Sequence, residues 1–524
     1  MLGKTTQSSN DQPNLCISYL FLYIMANSSR RGRLSCFNGR LLYSCALIAF
    51  SQVNFGMDQG AFSNTQAMAA FKQMFGVYNE ATGAYVLDTV YLSLLNSINY
   101  IGFAFGLLAG NLLSRRYGRR IALFIMCFWA IIAAIILVTS HHRAQMIVGR
   151  TVAYVYIGME LALVPVMQSE LVPAEVRGLV VGTYQSGLML GSLLMSVICR
   201  GTSEIQGHAS WRIPLGLFFV IPSILSVGVW WVPESPRWLF TKGRTDEALE
   251  SLRLLRQGPY TDEEIEAEFL EIKGSLDHRP EKGSPKEMFQ GTNLKRTLIS
   301  IGVNVFLQLT GQNFISKYGT IFIQSLQTVN AFTMSCVNSA VGIVVVFITQ
   351  ALVDRTGRVP LLFTGGLIQT GALMAMGGLG TVASPSTSQR NGIVAMTTIF
   401  NVGFSLGWAP LSHVVAAEIP TTRLRDVTYA LGSIINIIIQ FVVTFTVPYL
   451  LDAPYAGLGS KVGFIFGSTS ILACIFALFC VPEASGKTLE EIDRLFSENV
   501  SIRQFGKVRL DSLETNDSGE PLKD

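Results

Sequence analysis

The sequence predicts an all-α membrane protein with twelve transmembrane helices arranged as two six-helix halves. Three observations carry that prediction. Of the 524 residues, 50% are hydrophobic and only 14% are charged, whereas a typical water-soluble chain carries about 25% charged residues. The apolar residues gather into runs of about twenty, the length an α-helix needs to cross a bilayer. Short motifs in the first half return in the same order in the second. Together these exclude a soluble enzyme, a secreted disulfide domain and a disordered protein.

The apolar runs place spans near 41–61, 91–113, 120–139, 145–167, 178–199, 212–232, 298–320, 331–353, 360–380, 391–416, 428–450 and 461–481. Pro or scattered polar residues weaken the signal in the fourth, tenth and eleventh. The organisation read from this is an N-terminal tail (1–40), a first half (41–232), a central loop (233–297), a second half (298–481) and a C-terminal tail (482–524). The central loop carries Asp246, Glu247, Glu250 and the run Thr261-Asp-Glu-Glu-Ile265, which read as short amphipathic helices in water. Residues 15–26 add an apolar run of twelve, too short to span. Its basic cluster, Arg30 to Arg33, follows rather than precedes it, the wrong order for a cleaved signal. An interfacial segment or a true start nearer Met25 are the two readings.

Charge sets the orientation. Loops on the side of both termini hold nine basic residues: Arg115, Arg116, Arg119, Arg120, Arg177, Arg355, Arg358, Arg423 and Arg425. The opposite loops hold six: Lys72, Arg143, Arg200, Arg212, Arg390 and Lys461. The positive-inside rule makes the termini and central loop cytoplasmic. A net charge of +4 is too small to argue for nucleic acid. Eight scattered cysteines have no metal-like spacing and read as small packing residues. No metal or organic cofactor is implied.

The repeat is the most informative feature. Arg116-Tyr-Gly-Arg-Arg120 returns as Arg355-Thr-Gly-Arg358, Glu170 with Arg177 as Glu418 with Arg425, and Pro233-Glu-Ser-Pro-Arg237 as Pro482-Glu-Ala-Ser-Gly486, with offsets of 239, 248 and 249. Duplicated halves joined by a polar linker describe an alternating-access transporter with its site between the halves. The charged residues at the helix ends can pair across the seam and interact with helix dipoles. Breaking such pairs biases a two-state equilibrium. The candidates for this lock are Arg116, Arg119, Arg120, Glu170, Arg177, Glu234 and Arg237 in the first half. The second half offers Asp354, Arg355, Arg358, Glu418, Arg425 and Glu483.

Further motifs are Phe55-Gly-Met-Asp58, Gly149-Arg150, Gln308-Leu-Thr-Gly-Gln-Asn313, Ala417-Glu-Ile-Pro-Thr-Thr-Arg-Leu-Arg425 and Pro482 through Glu491. In this order, from about residue 40 to 495, the chain resembles the sugar porter family of the major facilitator superfamily, most of all its fungal members. The resemblance implies the major facilitator fold and a sugar or related polyhydroxylated substrate. Asp58 and Arg150 are the candidates for proton coupling, since ionisable groups inside spanning helices are costly and mark function. An Asp–Arg contact near 4 Å is worth about 4 kcal/mol at an effective dielectric of 20. Drawing Arg150 away as substrate binds would let Asp58 take a proton instead.

The family's sugar site is built from amides, because hydroxyls need both donors and acceptors. The matching positions are Gln185, Gln308, Asn313 and Asn436, with Trp408 and His413 on the tenth span and Lys317 and Tyr318 at the gate. Departures are informative. Leu307 replaces a glutamine, Lys317 a gating tyrosine, His413 an aromatic residue and Ile437 a tryptophan. Gly342 replaces an asparagine, and Arg115 the acidic or Asn position before Arg116. Tyr154 and Tyr156 interrupt a glycine ladder, and Glu160 is a buried acid without a family counterpart. Lys317 would recognise an anionic sugar acid or snorkel to the interface.

The resulting expectation is a plasma-membrane transporter, monomeric in function, that moves a sugar-like solute by proton symport. The alternatives are a facilitative uniporter, an exporter of a secondary metabolite and a non-transporting sugar sensor.

Overall fold

The computed structural model describes residues 33–506 apart from 81–82, 278–282, 454, 488 and 499. The apolar run at 15–26 and the Asp354 side chain lie outside the described residues. Among the described residues, twelve helical spans form two sets of six. The first set is Gly39–Thr65, Thr89–Tyr117, Arg119–Val138, Arg143–Leu171, Ala174–Thr202 and Ala209–Trp231. The second is Gly291–Leu326, Ala331–Thr356, Arg358–Leu379, Thr387–Glu418, Arg425–Leu451 and Gly459–Cys480. Ten of these are long and apolar enough to cross a membrane by length and composition. The other two are the first and fifth, not the fourth, tenth and eleventh that the sequence marks as weak. Polar residues lower the mean hydropathy of the first span, and there Gln52, Asn54, Asp58 and Asn64 are all buried inside the bundle.

Between the two sets, the linker folds into helices Pro236–Thr241, Thr245–Arg256 and Asp262–Asp277. Arg256 binds them to the bundle: its guanidinium grips both Glu268 oxygens at 2.9 Å and donates to the Leu171 carbonyl at 2.8 Å. The opposite face of the molecule, the far side, carries a short helix, Ala69–Phe75, and a hairpin pairing Val77–Asn79 with Ala84–Val86.

The internal repeat is visible atom by atom. One glycine joins the second span to the third and another joins the eighth to the ninth: Gly118 at φ +98° and Gly357 at φ +88°. Side chains rarely adopt this backbone. A Cβ at Gly118 would also lie 2.4 Å from Glu234, and one at Gly357 2.6 Å from Glu483. Those carboxylates close the helix that follows each glycine. Glu234 accepts from the Arg119 and Arg120 amides at 2.8 and 3.1 Å. Glu483 accepts from the Arg358 and Val359 amides, both at 2.9 Å. A carboxylate at a helix N-terminus satisfies orphan donors and meets the positive end of the dipole.

Within the first half, the second and fourth spans pack backbone to backbone, as small residues permit. A Cβ at Gly106 would lie 2.1 Å from the Val155 carbonyl oxygen, and a backbone atom cannot step aside. Gly106→Val is therefore expected to cost about 3 kcal/mol, at the upper end of ordinary overpacking. The variant should show less protein at the membrane and a lower melting temperature on size-exclusion thermal challenge.

The halves are joined on the far side. Lys72 donates to Gln324 at 2.7 Å, Thr89 to Asp452 at 2.9 Å, Thr320 to Asn64 at 3.1 Å and Arg200 to Thr333 at 2.9 Å. On the linker side, among the described residues, Arg177 Nε and Arg425 Nε and Nη2 lack hydrogen-bond partners. The seam is thus sewn at the far side in this conformation.

Candidate functional site

Asp58 lies on the first span and Arg150 on the fourth, and the bundle brings them together. Arg150 Nη1 donates to Asp58 Oδ1 at 2.6 Å, with the arginine fully buried and Asp58 5% exposed. The guanidinium carbon sits 3.6 Å from the Phe62 ring centre and 4.8 Å from that of Tyr154. Such stacking on aromatic faces stabilises a cation that water no longer reaches. The pair is only half satisfied, since Asp58 Oδ2 and Arg150 Nε and Nη2 have no partner among the described residues. One strong contact with spare valences is suited to a bond that is made and broken.

The second half supplies an amide cluster. Its seventh span is interrupted after Leu309, with Gly311 at φ +92° and a π-helical turn at Phe314–Tyr318, a local widening that recurs at functional sites. Asn313 Nδ2 donates to Gln308 Oε1 at 2.9 Å, and Gln308 Nε2 donates to Asn436 Oδ1 at 3.2 Å. The structure adds two members. Asn304 accepts from Asn436 at 3.2–3.3 Å, and Gln440 donates to Asn313 at 3.4 Å. Both lie one helical turn from a predicted residue, four before Gln308 and four after Asn436. Gln185 on the fifth span is half-buried and makes no hydrogen bond among the described residues.

Lys317 does not snorkel. It is 5% exposed, and its ammonium donates to the Tyr154 hydroxyl of the first half at 2.8 Å. Tyr154 thus stands between Lys317 and Arg150. Tyr318 is buried and donates to the Thr444 carbonyl at 2.7 Å. Trp408 packs against Phe306, with ring centres 6.4 Å apart, and follows the bend at Gly407. His413 is exposed. Neither Trp408 nor His413 hydrogen-bonds the amide cluster among the described residues.

In this conformation, sewn at the far side, the helix-end charges pair within each half. Arg119 grips Glu170 through two bonds, at 2.7 and 2.8 Å, and Arg358 meets Glu418 at 3.1 Å. Each pair joins neighbouring spans of one half: third to fourth, and ninth to tenth. The one-residue glycine turn is the cause, because it sets the arginine directly beside the end of the next helix. Arg116 and Arg355 are exposed, Arg177, Arg237 and Arg425 are half-buried, and Arg120 stacks over Trp230 at 5.1 Å. Burial pushes the Glu234 carboxyl above its usual range, and the amides of Ser235, Arg119 and Arg120 oppose that shift.

Comparison with known proteins follows the same line. The profile of the family described as "Sugar (and other) transporter" matches residues 44–496. The MFS-type transporter criB of Aspergillus cristatus is 31% identical over 485 residues, covering 91% of this chain and 98% of that protein. The low-affinity glucose transporter HXT1 of Saccharomyces cerevisiae is 30% identical over 469 residues, covering 87% and 81%. The high glucose sensor RGT2 of the same yeast is 31% identical over 454 residues, and the match spans 59% of the sensor's length. Among solved structures, the inward-open xylose transporter XylE from E. coli superposes with a TM-score of 0.71 at 21% identity, covering 87% of this chain and 99% of XylE. That likeness shows the shared fold.

Proposed function

The chain belongs to the sugar (and other) transporter family, and we propose that it moves a sugar or related polyhydroxylated solute across the plasma membrane by proton symport. The observation that carries this reading is the buried Asp58–Arg150 pair, linked through Tyr154 and Lys317 to the second half. The solute binds between the halves, its hydroxyls exchanging donors and acceptors with Gln308, Asn313 and Asn436 on one side and Gln185 on the other. The halves, 41–232 and 298–481, rock about that site as one functional monomer. The termini and linker are cytoplasmic, so the far-side seam corresponds to an inward-facing state. Arg119–Glu170 and Arg358–Glu418 keep each half rigid as it moves.

The coupling follows from the half-satisfied pair. With the far side open, Asp58 accepts a proton from outside and releases Arg150, whose stacking on Phe62 and Tyr154 holds it in place. Closing of the far side sets Lys317 against Tyr154. After the solute leaves on the inner side, Arg150 returns to Asp58 and the proton departs.

The test is uptake of a labelled panel (hexoses, pentoses, a disaccharide, a polyol and a uronic acid) in a yeast lacking hexose uptake. Accumulation that collapses with a protonophore is expected for at least one member. Equilibration without accumulation would make the protein a facilitator. No uptake by protein shown to be at the cell surface would point to export or sensing. Preference for the acid would assign Lys317 to recognition.

A further inference from the structure

One buried carboxyl takes no part in the site above. Glu160 lies ten residues beyond Arg150 on the fourth span, about 15 Å of helix towards the linker side. It is 0% exposed, and among the described residues neither oxygen has a hydrogen-bond partner. The groups that face it are all neutral: the Ser51 hydroxyl of the first span, the Cys127 thiol of the third, Tyr156 of its own helix and Tyr184 of the fifth. A naked carboxylate in such surroundings is far costlier than a carboxylic acid, so Glu160 carries a proton in this conformation.

Its neighbours form a polar file. Towards the far side, Asn54 donates to the Tyr156 hydroxyl at 3.1 Å, and Tyr156 donates to the Ser51 carbonyl at 3.3 Å. Asn54 is one turn from Asp58, and both line a small cavity with Ala153 and Tyr156. Towards the linker side, Gln168 donates to Thr183 at 3.4 Å, and the Thr183 hydroxyl, which donates to the Val180 carbonyl at 2.6 Å, lies 3.5 Å from Gln52 Oε1. Unpartnered atoms mark the whole route: Asp58 Oδ2, Asn54 Oδ1, Ser51 Oγ, both Glu160 oxygens, Gln52 Nε2 and Gln168 Oε1.

We infer that Glu160 is a second proton-holding carboxyl of the transport cycle, receiving the proton that leaves Asp58 and releasing it to the linker side. The inference rests on the symport reading above. In each cycle Glu160 first loses its proton to water entering from the linker side past Gln52 and Gln168, whose unpartnered Nε2 and Oε1 would hydrogen-bond that water. The carboxylate so formed draws the proton from Asp58 through a water held in the small cavity that Asp58, Asn54 and Tyr156 line, and Arg150 re-pairs with the Asp58 carboxylate. One proton crosses, and both carboxyls end as they began. The conformation described here is the stage just after hand-over, with Asp58 ion-paired and Glu160 neutral and unpaired.

Glu160→Gln keeps the shape and neutrality of the protonated acid but cannot release a proton. With labelled D-glucose as probe, the variant should lose protonophore-sensitive accumulation while keeping exchange of D-glucose between the two sides. Glu160→Asp should restore accumulation with a displaced pH profile, which a packing role would not produce. Wild-type protein that equilibrates D-glucose without accumulating it would sink the symport reading and the relay with it. Wild-type accumulation retained in Glu160→Gln would sink the relay alone. A second measurement needs no substrate: infrared spectra of the purified full-length protein at neutral pH should show a protonated-carboxyl band that Glu160→Gln removes. A band unchanged in the variant would also overturn the inference.

Discussion

Asp58→Asn is expected to abolish accumulation of solute against its gradient while leaving exchange down the gradient in place. The amide occupies the same volume as the carboxylate and can still accept from Arg150 Nη1, which now donates to Oδ1 at 2.6 Å. What it lacks is the charge and the ability to take up and lose a proton. Breaking a buried pair by neutralising one partner costs about 3–5 kcal/mol where the other charge is left bare. Here the loss is smaller, because the Arg150 guanidinium stays sandwiched between Phe62 and Tyr154, contacts worth about 1–2 kcal/mol each once desolvated. The protein should therefore still reach the membrane. Solute accumulation, followed over time with and without protonophore, should fall in the variant to the level the wild type reaches with protonophore. Accumulation above that level in Asp58→Asn would remove the pair from the coupling step.

The position of Tyr154 explains why such a local change should be felt by the whole transporter. Its ring lies 4.8 Å from the Arg150 guanidinium carbon, and its hydroxyl receives the Lys317 ammonium at 2.8 Å. Lys317 belongs to the second half and forms its bond only where the halves meet. Making or breaking the Asp58 contact therefore changes the charge balance behind one wall of the far-side seam. On the symport reading, two arrangements of this group, with the pair made or broken, would be the discrete states that coupling between distant sites requires.

Much of this was legible in the residues, for physical reasons. Spanning helices need about twenty apolar residues, so their number and order follow from the apolar runs. The repeated Arg-x-Gly-Arg motif and its acidic partners were equally plain, because glycine at a positive φ and a carboxylate at a helix N-terminus each leave a fixed spacing. Geometry between helices was not legible. Arg and Glu at the helix ends can be read from the sequence as a charge cluster, but not which of them meet: the tight glycine turn sets Arg119 on Glu170 and Arg358 on Glu418 within each half. Asn304 and Gln440 went unnoticed although each sits four residues from a chosen amide, a separation that shares a helix face. Lys317 had two readings at the level of sequence, and only the Tyr154 hydroxyl decides against snorkelling. The π-helical turn at Phe314–Tyr318 and the role of Arg256 in fastening the linker had no sequence signal of their own.

Gln308→Ala should lower the specificity constant for the transported solute by roughly 10–100-fold, equivalent to about 1.4–2.8 kcal/mol. Gln308 is the hub of the amide cluster: it accepts from Asn313 and donates to Asn436, and it is 7% exposed. Truncation removes a donor and an acceptor that solute hydroxyls would use, and it frees two neighbouring amides to turn away. Each hydrogen bond lost is worth about 1 kcal/mol net, and more where a buried partner is left unpaired. Asn304→Ala is the informative companion, because it removes the side-chain oxygen that accepts from Asn436 at 3.3 Å while keeping the backbone carbonyl that accepts at 3.2 Å. A positioning residue of this kind should weaken apparent affinity by only a few-fold. Initial uptake rates over a range of solute concentration, normalised to protein at the cell surface, separate the two. Recognition at the amide cluster requires the larger effect at Gln308; equal and small effects at both positions would move the solute site off the cluster and leave these five side chains as the packing of the seventh span against the eleventh.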